Sequence, residues 1–328
     1  MRLEGPPIAR ARKAALDAKA LSGDRTPVTS FLIAHLSDAH IGPLPQPRAR
    51  ELIGKRLTGY INWKRRDRIH DMDVLARLVA DMRAHKPDHI MMTGDVLNIG
   101  LPAEFPLAAA WLRTLGDPHD VSFVPGNHDA YVRSAMPYLM RTFAPWTAVD
   151  GDHETTYPYL RVRGNIAFIG LSSGVPTPFF IASGKMGSPQ RRAFKQMLIE
   201  TKARGLMRVV MIHHPPFRTG ASAGRGLSDV GAFERIISRH GAELIVHGHN
   251  HRASLTHLPT PEGRAPVVGV ASASAVPGTP RHRAAYHLFK VTQAEAGWRI
   301  EAHARGLLPG TREIGDLGPV NLTWPGLA

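Results

Sequence analysis

The sequence predicts an α/β fold, a four-layer α/β/β/α sandwich in which two mixed β-sheets lie face to face with helices outside. Three observations lead to this prediction. Short apolar runs alternate with amphipathic stretches of helical period early in the chain, and hairpin-like pairs of runs follow later. Polar side chains of ligand type directly follow several of the apolar runs. Because sites in open α/β sheets form at strand ends, we also expect a binding site there.

The predicted strands are short apolar runs bounded by turn residues. The dipeptide Gly164-Asn165 is typical of a two-residue hairpin turn and joins two of these runs. In chain order, the predicted strands are Phe31–Ser37, His89–Thr93, Val121–Val124, Tyr157–Arg163, Ile166–Leu171, Arg208–Ile212, Glu243–Val246, Ala253–His257, Pro266–Val270, Ala285–Val291 and Trp298–Ala304.

Four stretches with apolar residues at helical spacing lie between these strands. Pro189 lies at the start of the third stretch, where its missing N–H group is tolerated. Ser228 or Asp229 is placed to cap the fourth. The predicted helices are Met72–His85, Glu104–Leu115, Pro189–Ala203 and Ser228–His240.

The chain of 328 residues has no internal repeat and no long linker, which predicts one domain over residues 28–304. Residues 1–27 are predicted to form an N-terminal extension, because 1–26 are rich in Ala, Arg and Lys and lack the apolar core of a signal peptide. A transit-like amphipathic segment is the alternative. Residues 305–328 carry scattered Gly and Pro and are predicted to form a tail on the surface.

Composition limits the classes of protein. Hydrophobic residues make up 43% of the chain, enough for a substantial core, but no apolar stretch approaches the roughly 18–20 residues of a membrane span. The chain has no cysteine, which excludes disulfides, iron–sulfur clusters and thiolate zinc sites. A cysteine-free chain fits the reducing cytoplasm, and a cytoplasmic location is predicted.

Five short blocks of polar residues each follow a strand-like run. Together they supply three carboxylates, amide oxygens and several imidazoles, a set that suits Mn, Fe and Zn. Any one block alone is a weak signal, but the five in succession favour a metal site. The blocks are Asp38-Ala39-His40, Gly94-Asp95, Gly126-Asn127-His128-Asp129, His213-His214-Pro215-Pro216 and Gly248-His249-Asn250-His251.

In type and order these blocks resemble those of the calcineurin-like metallophosphoesterase superfamily, and the match runs from about Phe31 to about His251. The resemblance implies two divalent ions (Mn, Fe or Zn) bridged by Asp95, since a carboxylate has two oxygens where an imidazole offers one lone pair. Two such ions clamp a phosphate and share a hydroxide that attacks phosphorus. The implied ligands are Asp38, His40, Asp95 and His251 for one ion, and Asp95, Asn127, His213 and His249 for the other.

The resemblance further implies that His128 faces the substrate, where it protonates the leaving oxygen or stabilises charge on the phosphoryl group. In several family members an Asp three residues after the bridging Asp orients this His. Asn98 occupies that position here, and its amide is expected to orient the ring without a full charge. Asp129 is predicted to organise its loop, with a carboxylate role beside His128 as the alternative. His214 is a candidate for substrate contact, and the other histidines, His70 included, carry no spacing signal.

A formal net charge of +14 favours anionic partners such as nucleotides, nucleic acid or acidic lipid. Positive charge is dense in the segment 48–70, where aromatic and aliphatic residues are interleaved with it. We expect this segment to form a flap beside the metals that contacts the organic part of an anionic substrate or a membrane surface, with Tyr60 and Trp63 as interfacial anchors. A solvated helical excursion is the alternative. The basic residues are Arg48, Arg50, Lys55, Arg56, Lys64, Arg65, Arg66 and Arg68.

The predicted function is therefore a metal-dependent phosphodiesterase that hydrolyses a small or lipid phosphodiester. The alternative is a nuclease or nucleic-acid-binding protein on the same scaffold, which the charge would suit but which no recognisable nucleic-acid module supports. A catalytically inactive binding scaffold is a third class, and the full set of ligand residues argues against it.

Overall fold

The computed structural model describes residues 30–65, 69–150, 152, 155–295 and 297–323. The predicted N-terminal extension over 1–27 lies outside the described residues. Two six-stranded mixed sheets form the centre of the fold, with the strand orders β12-β11-β10-β1-β2-β3 and β4-β5-β6-β7-β9-β8. The first sheet consists of β1 (Phe31–Leu36), β2 (His89–Met92), β3 (Val121–Phe123), β10 (Ala285–Ala294), β11 (Gly297–Leu307) and β12 (Ile314–Val320). The second consists of β4 (Tyr159–Arg163), β5 (Ile166–Gly170), β6 (Met207–Met211), β7 (Leu244–His247), β8 (Ser254–Thr260) and β9 (Gly263–Gly269).

The helices follow the amphipathic stretches of the sequence, with three additions. Asp71 caps the second helix, since its side chain accepts hydrogen bonds from the backbone N–H groups of Asp73 and Val74. The first helix lies in the basic segment, and the two short ones follow the third strand. The α-helices are α1 (Lys55–Arg65), α2 (Met72–Ala84), α3 (Glu104–Leu115), α4 (Met136–Thr142), α5 (Ala144–Thr147), α6 (Ser188–Ala203) and α7 (Val230–His240).

The layers follow from alternating side chains on the strands. In β1, Ile33 belongs to the core between the two sheets, whereas the next residue, Ala34, packs in the core beneath α2 and α3. In β6, Val209 points between the sheets and Val210 packs against α6 and α7. Successive residues of a strand face opposite sides, so each central strand contributes to two cores. The predicted α/β/β/α sandwich of two mixed sheets is confirmed.

The hairpin predicted at Gly164-Asn165 is present, with β4 and β5 paired antiparallel. Most predicted strands and helices are present with ends shifted by a few residues. Part of the basic segment is helical and forms α1, as the alternative interpretation of that segment expected. Helices α4 and α5 were not predicted. None of the helices in the described residues is both long and apolar enough to cross a membrane.

The prediction of a surface tail over 305–328 differs from the structure. Residues 305–307 complete β11, and Ile314–Val320 forms the edge strand β12, which pairs antiparallel with β11. This strand was not predicted because it contains Gly315, Gly318 and Pro319, and glycine and proline normally indicate turns. An edge strand tolerates proline since one side of it makes no sheet hydrogen bonds.

Candidate metal centre

The predicted ligands all follow strands at one edge of the two sheets. Strands β1, β2 and β3 pair in parallel in the first sheet, and β6 pairs in parallel with β7 in the second. The carboxyl ends of these strands meet at a common edge, which is the usual place for a site in an α/β sheet. Asp38 and His40 follow β1, Asp95 follows β2, Asn127 and His128 follow β3, His213 follows β6, and His249 and His251 follow β7.

The backbone at this edge has unusual conformations. Among the described residues, seven other than glycine have positive φ, and five of these seven are predicted ligands. Residues other than glycine rarely adopt a positive φ. Each such residue costs about 1–3 kcal/mol of conformational strain and persists only where the surrounding structure holds it in place. Strain concentrated in this way is typical of a functional site. The five residues are Asp38, His40, Asp95, His249 and His251.

Two glycines allow the loops to approach the ligands closely. A Cβ atom on Gly126 would lie 2.1 Å from Asp95 Oδ1, and one on Gly248 would lie 2.4 Å from Asp38 Oδ2. Both positions therefore exclude any larger residue without movement of a ligand. Glycine in the Gly-Asn-His-Asp and Gly-His-Asn-His blocks therefore allows the chain to turn and also leaves room for the neighbouring carboxylate.

The first ligand group consists of Asp38, His40 and His251. His251 Nε2 lies 3.2 Å from His40 Nε2 and 3.2 Å from Asp38 Oδ1. Ligands about 2.0–2.2 Å from a common ion lie roughly 3.0–3.4 Å from one another. The distances of His251 Nε2 from the other two atoms therefore fit one bound ion.

The second ligand group consists of Asp95, Asn127, His213 and His249. His213 Nε2 lies 3.2 Å from Asp95 Oδ2 and 3.3 Å from Asn127 Oδ1, and His249 Nδ1 lies 2.8 Å from Asn127 Oδ1. His249 Nε2 is also buried, and it has no hydrogen-bond partner in the part of the chain that the structure describes. These oxygen and nitrogen donors fit a second ion of the same chemical class.

Asp95, a member of the second group, also lies next to the first. Its ligand atoms lie within 4.8 Å of those of His40 and His128 on one side, and within the same distance of those of His213 and His249 on the other. Burial raises the pKa of Asp95, but the neighbouring His213 and His128 outweigh burial and hold that pKa well below its usual value. A fully ionised carboxylate between two ligand groups is the arrangement that a bridging role requires.

Backbone carbonyls orient two of the imidazoles. His40 Nδ1 lies 3.1 Å from the Leu97 carbonyl oxygen, and His213 Nδ1 lies 2.6 Å from that of Thr93. A carbonyl only accepts, so each Nδ1 carries a proton, and each Nε2 lies on the side of the other predicted ligands. Histidines that bind metals are usually held in this way.

His128 borders the first ligand group, and its ring centroid lies 4.8 Å from that of His40. Its Nδ1 donates a hydrogen bond to the backbone carbonyl of Asn98, while the Asn98 side chain donates to the Ile41 carbonyl at 2.8 Å. The prediction that the Asn98 amide orients His128 is therefore wrong. The side chain ties one loop to the next, and a neutral carbonyl orients the ring through Nδ1.

Asp129 organises two loops. Its carboxylate accepts four backbone N–H hydrogen bonds, from Asp95, Val96, Leu97 and Gly126, at 2.8–3.0 Å. Burial and the nearby Asp95 raise the pKa of Asp129 to about 7, while the hydrogen bonds favour its ionised form. The geometry agrees with the predicted role in loop structure, and no carboxylate oxygen contacts the His128 ring in the described hydrogen bonds.

Both ring nitrogens of His214 contact protein groups, which argues against the predicted substrate contact. Nδ1 lies 2.8 Å from Ser173 Oγ, and Nε2 lies 3.0 Å from the Ala182 carbonyl oxygen. The buried ring also packs 4.4 Å from the ring of His249. His214 therefore anchors the segment around Ala182 and packs against the predicted ligand His249.

His70, to which the sequence assigned no role, lies beside the first ligand group. Its ring centroid is 4.5 Å from that of His40 and 5.7 Å from that of His251. Its Nδ1 is 2.7 Å from Ser274 Oγ, and its backbone forms an isolated bridge with Ala275. The spacing of residues along the sequence could not have indicated His70, because it reaches the metal centre through its backbone bridge with the distant residue Ala275.

We expect His70→Ala to weaken binding of the ion held by Asp38, His40 and His251 by about tenfold, because groups that support metal ligands typically change affinity 10–100-fold. Mn²⁺ titration against a competing chelator measures the change. His85→Ala, which alters an exposed histidine at the end of α2, is the matched control. Unchanged affinity in both variants would mean that His70 only packs against the ligands.

Comparisons with known proteins agree with this geometry. The family model described as calcineurin-like phosphoesterase matches residues 31–253. A probable cyclic nucleotide phosphodiesterase of Synechococcus sp. is 25% identical over 227 residues, covering 68% of this chain and 75% of that protein.

Solved structures share the fold. A dimetal phosphatase from Danio rerio superposes with a TM-score of 0.53 at 16% identity, covering 88% of this chain and 99% of that one. A 5'-nucleotidase precursor from Thermus thermophilus superposes with a TM-score of 0.50 at 16% identity, covering 83% of this chain and 54% of that one. The family match and the two ligand groups together indicate a dinuclear site for divalent metals. Because the family model spans more than half of the sequence, the chain belongs to the calcineurin-like phosphoesterase family.

Proposed function

We propose that this protein is a phosphodiesterase that hydrolyses a small or lipid phosphodiester. The observation that carries the proposal is the meeting of two ligand groups at Asp95, with His128 beside them. The phosphodiesterase assignment is supported by the Synechococcus relative, whose name specifies cyclic nucleotides. The positive charge of the chain suits such anionic substrates.

Seven side chains would hold the two ions. The donors are nitrogen and oxygen atoms without sulfur, a set that Mn, Fe and Zn all accept. When bound, the ions lower the pKa of a water molecule, and their positive charge neutralises the phosphate oxygens. The holding residues are Asp38, His40 and His251 on one side, Asn127, His213 and His249 on the other, and Asp95 between them.

His128 would act on the leaving group. In the doubly protonated ring the Asn98 carbonyl accepts from Nδ1–H, so the proton on the other ring nitrogen, Nε2, would pass to the leaving oxygen and leave a neutral imidazole. Before that transfer, the same imidazolium would also stabilise negative charge on the phosphoryl group. A neutral carbonyl stabilises an imidazolium less than a carboxylate would. Proton donation should matter most for substrates that leave as alkoxides, because an alkoxide is a poor leaving group until it is protonated.

Two chromogenic esters test the proposal. With added Mn²⁺, Fe²⁺ or Zn²⁺, we expect the protein to hydrolyse bis-p-nitrophenyl phosphate faster than p-nitrophenyl phosphate. A panel of cyclic nucleotides, phospholipids and DNA then identifies the class of diester. Preference for p-nitrophenyl phosphate would replace the proposal with a phosphomonoesterase, and turnover of DNA alone would favour the nuclease alternative.

A further inference from the structure

Helix α1 presents a stripe of apolar side chains to solvent. Ile53, just before the helix, is 79% exposed, and Leu57 and Ile61 are 48% and 42% exposed. The spacing of four residues places Leu57 and Ile61 on one helical face, and Ile53 precedes the helix in an extended conformation. An apolar stripe normally faces the core, so an exposed one indicates an interaction surface.

The opposite face of α1 is firmly held. Tyr60 and Trp63 pack on a small core cluster that includes Leu44 and Tyr131. The buried guanidinium of Arg56 donates to the backbone carbonyl of Ile99 at 3.3 Å. The prediction of Tyr60 and Trp63 as interfacial anchors therefore disagrees with the structure. They attach the helix to the protein, and the smaller aliphatic residues face outward.

A neighbouring loop adds two aromatic rings to this surface. Phe179 is 48% exposed and Phe180 is 86% exposed, and Phe180 has a φ of 62°, a strained conformation for a bulky residue. The Lys55 ammonium joins the loop to α1 by donating to Thr177 Oγ1 at 2.7 Å and to the Ile181 carbonyl at 3.3 Å. We call the five exposed side chains Ile53, Leu57, Ile61, Phe179 and Phe180 the apolar platform.

The two segments that carry the apolar platform each contact a residue next to the metal centre. On one side, the Lys55 ammonium lies 4.7 Å from the centre of the Tyr131 ring, which stacks on His128 with centroids 5.7 Å apart. On the other side, the loop that carries Phe179 and Phe180 is held by His214, through the carbonyl of Ala182. A surface that contacts the platform is therefore brought close to the candidate site.

Positive charge surrounds the platform. Residues 48–65 contain six cationic side chains and one carboxylate, Glu51. Arg48, Arg50, Lys64 and Arg65 are all exposed. Cations next to exposed apolar side chains are the features by which peripheral proteins bind anionic membranes.

We propose that the apolar platform docks on an anionic lipid bilayer and that the phosphoester substrate is part of a lipid headgroup. The second clause rests on the proposed phosphodiesterase function, whereas the first does not. A bilayer fits better than a second copy of the chain, because two copies meeting through this face would bring their cationic segments together. Bilayer contact places headgroup phosphates beside the residues that would hold the metals.

Vesicle sedimentation tests the docking without turnover. We expect the protein to bind phosphatidylcholine vesicles that contain phosphatidylglycerol, and to bind pure phosphatidylcholine vesicles far more weakly. Leu57→Ser combined with Ile61→Ser should reduce binding at least about tenfold, and Phe179→Ser combined with Phe180→Ser should do the same. Leu107→Ser alters a similarly exposed leucine on α3, at 48%, and is the matched control.

Two further variants test how much the cationic side chains contribute to vesicle binding. Lys64→Gln and Arg65→Gln should each weaken binding to the anionic vesicles roughly fivefold and flatten its salt dependence. Failure of the unmodified protein to bind anionic vesicles at low salt would overturn the proposal, as would equal binding to both vesicles. Self-association in analytical ultracentrifugation that the platform variants abolish would replace the bilayer with a second copy. Vesicle binding without hydrolysis of any diester would reject the proposed function and leave the docking intact.

Discussion

Asp95→Ala is expected to reduce hydrolysis of bis-p-nitrophenyl phosphate by at least about 10³-fold and to lower the metal content well below two ions per chain. The physical reason is that Asp95 lies next to both ligand groups and is proposed to bind both ions. Each ion stabilises the transition state by several kcal/mol, and each 1.4 kcal/mol corresponds to a tenfold change in rate. Elemental analysis of the purified variant measures the metal, and the chromogenic assay measures the rate.

The variant also removes support from neighbouring groups. Asp95 Oδ1 accepts the backbone N–H of His128 at 2.7 Å, so the loop that carries His128 loses a contact as well. Asp95→Asn, which keeps the shape but removes the charge, separates this effect from metal binding. Asp73→Ala removes a carboxylate that is 87% exposed at the start of α2 and should retain both ions. Two ions with normal turnover in Asp95→Ala would refute the bridging assignment.

The sequence was sufficient for the central strands and for the polar residues that gather at their ends, because both depend on local pattern. The run Phe31–Leu36 is apolar, is bounded by polar residues and ends just before Asp38. Asp38 and His251 are far apart in the chain, but each follows a strand of parallel type. The chain topology brings such strand ends to one edge, so a list of motifs was enough to predict a site.

The features that the sequence missed depend on contacts between distant segments. Strand β12 exists because β11 offers it an unpaired edge, although its glycines and proline resemble those of a loop. His70 reaches the centre only through its bridge with Ala275. The Asn98 backbone, and not its amide, orients His128, and no residue type can indicate a hydrogen bond of the main chain.

The direction of α1 illustrates a second limit. Tyr60 and Trp63 look like interfacial anchors when composition alone is considered, because aromatic rings beside cations are common at membranes. The structure places these large rings on the core cluster, where they bury more apolar area than the aliphatic side chains would. Composition indicated a segment with an interacting face, but only packing decides which face remains exposed.

His128→Ala is expected to lower the rate about 10²–10⁴-fold while both ions remain bound, because His128 is proposed as the proton donor and not as a ligand. The loss should be larger for diesters with alkoxide leaving groups than for nitrophenyl esters, since nitrophenolate leaves without protonation. Turnover of both substrate types and elemental analysis measure these effects. Asn98→Ala removes the side-chain bond to the Ile41 carbonyl but keeps the backbone carbonyl that holds His128, so it measures how much of the loss comes from the loop and not from the ring. Equal losses across leaving groups would assign charge stabilisation to His128, and loss of an ion would make it a ligand, as its position beside His40 and Asp95 permits.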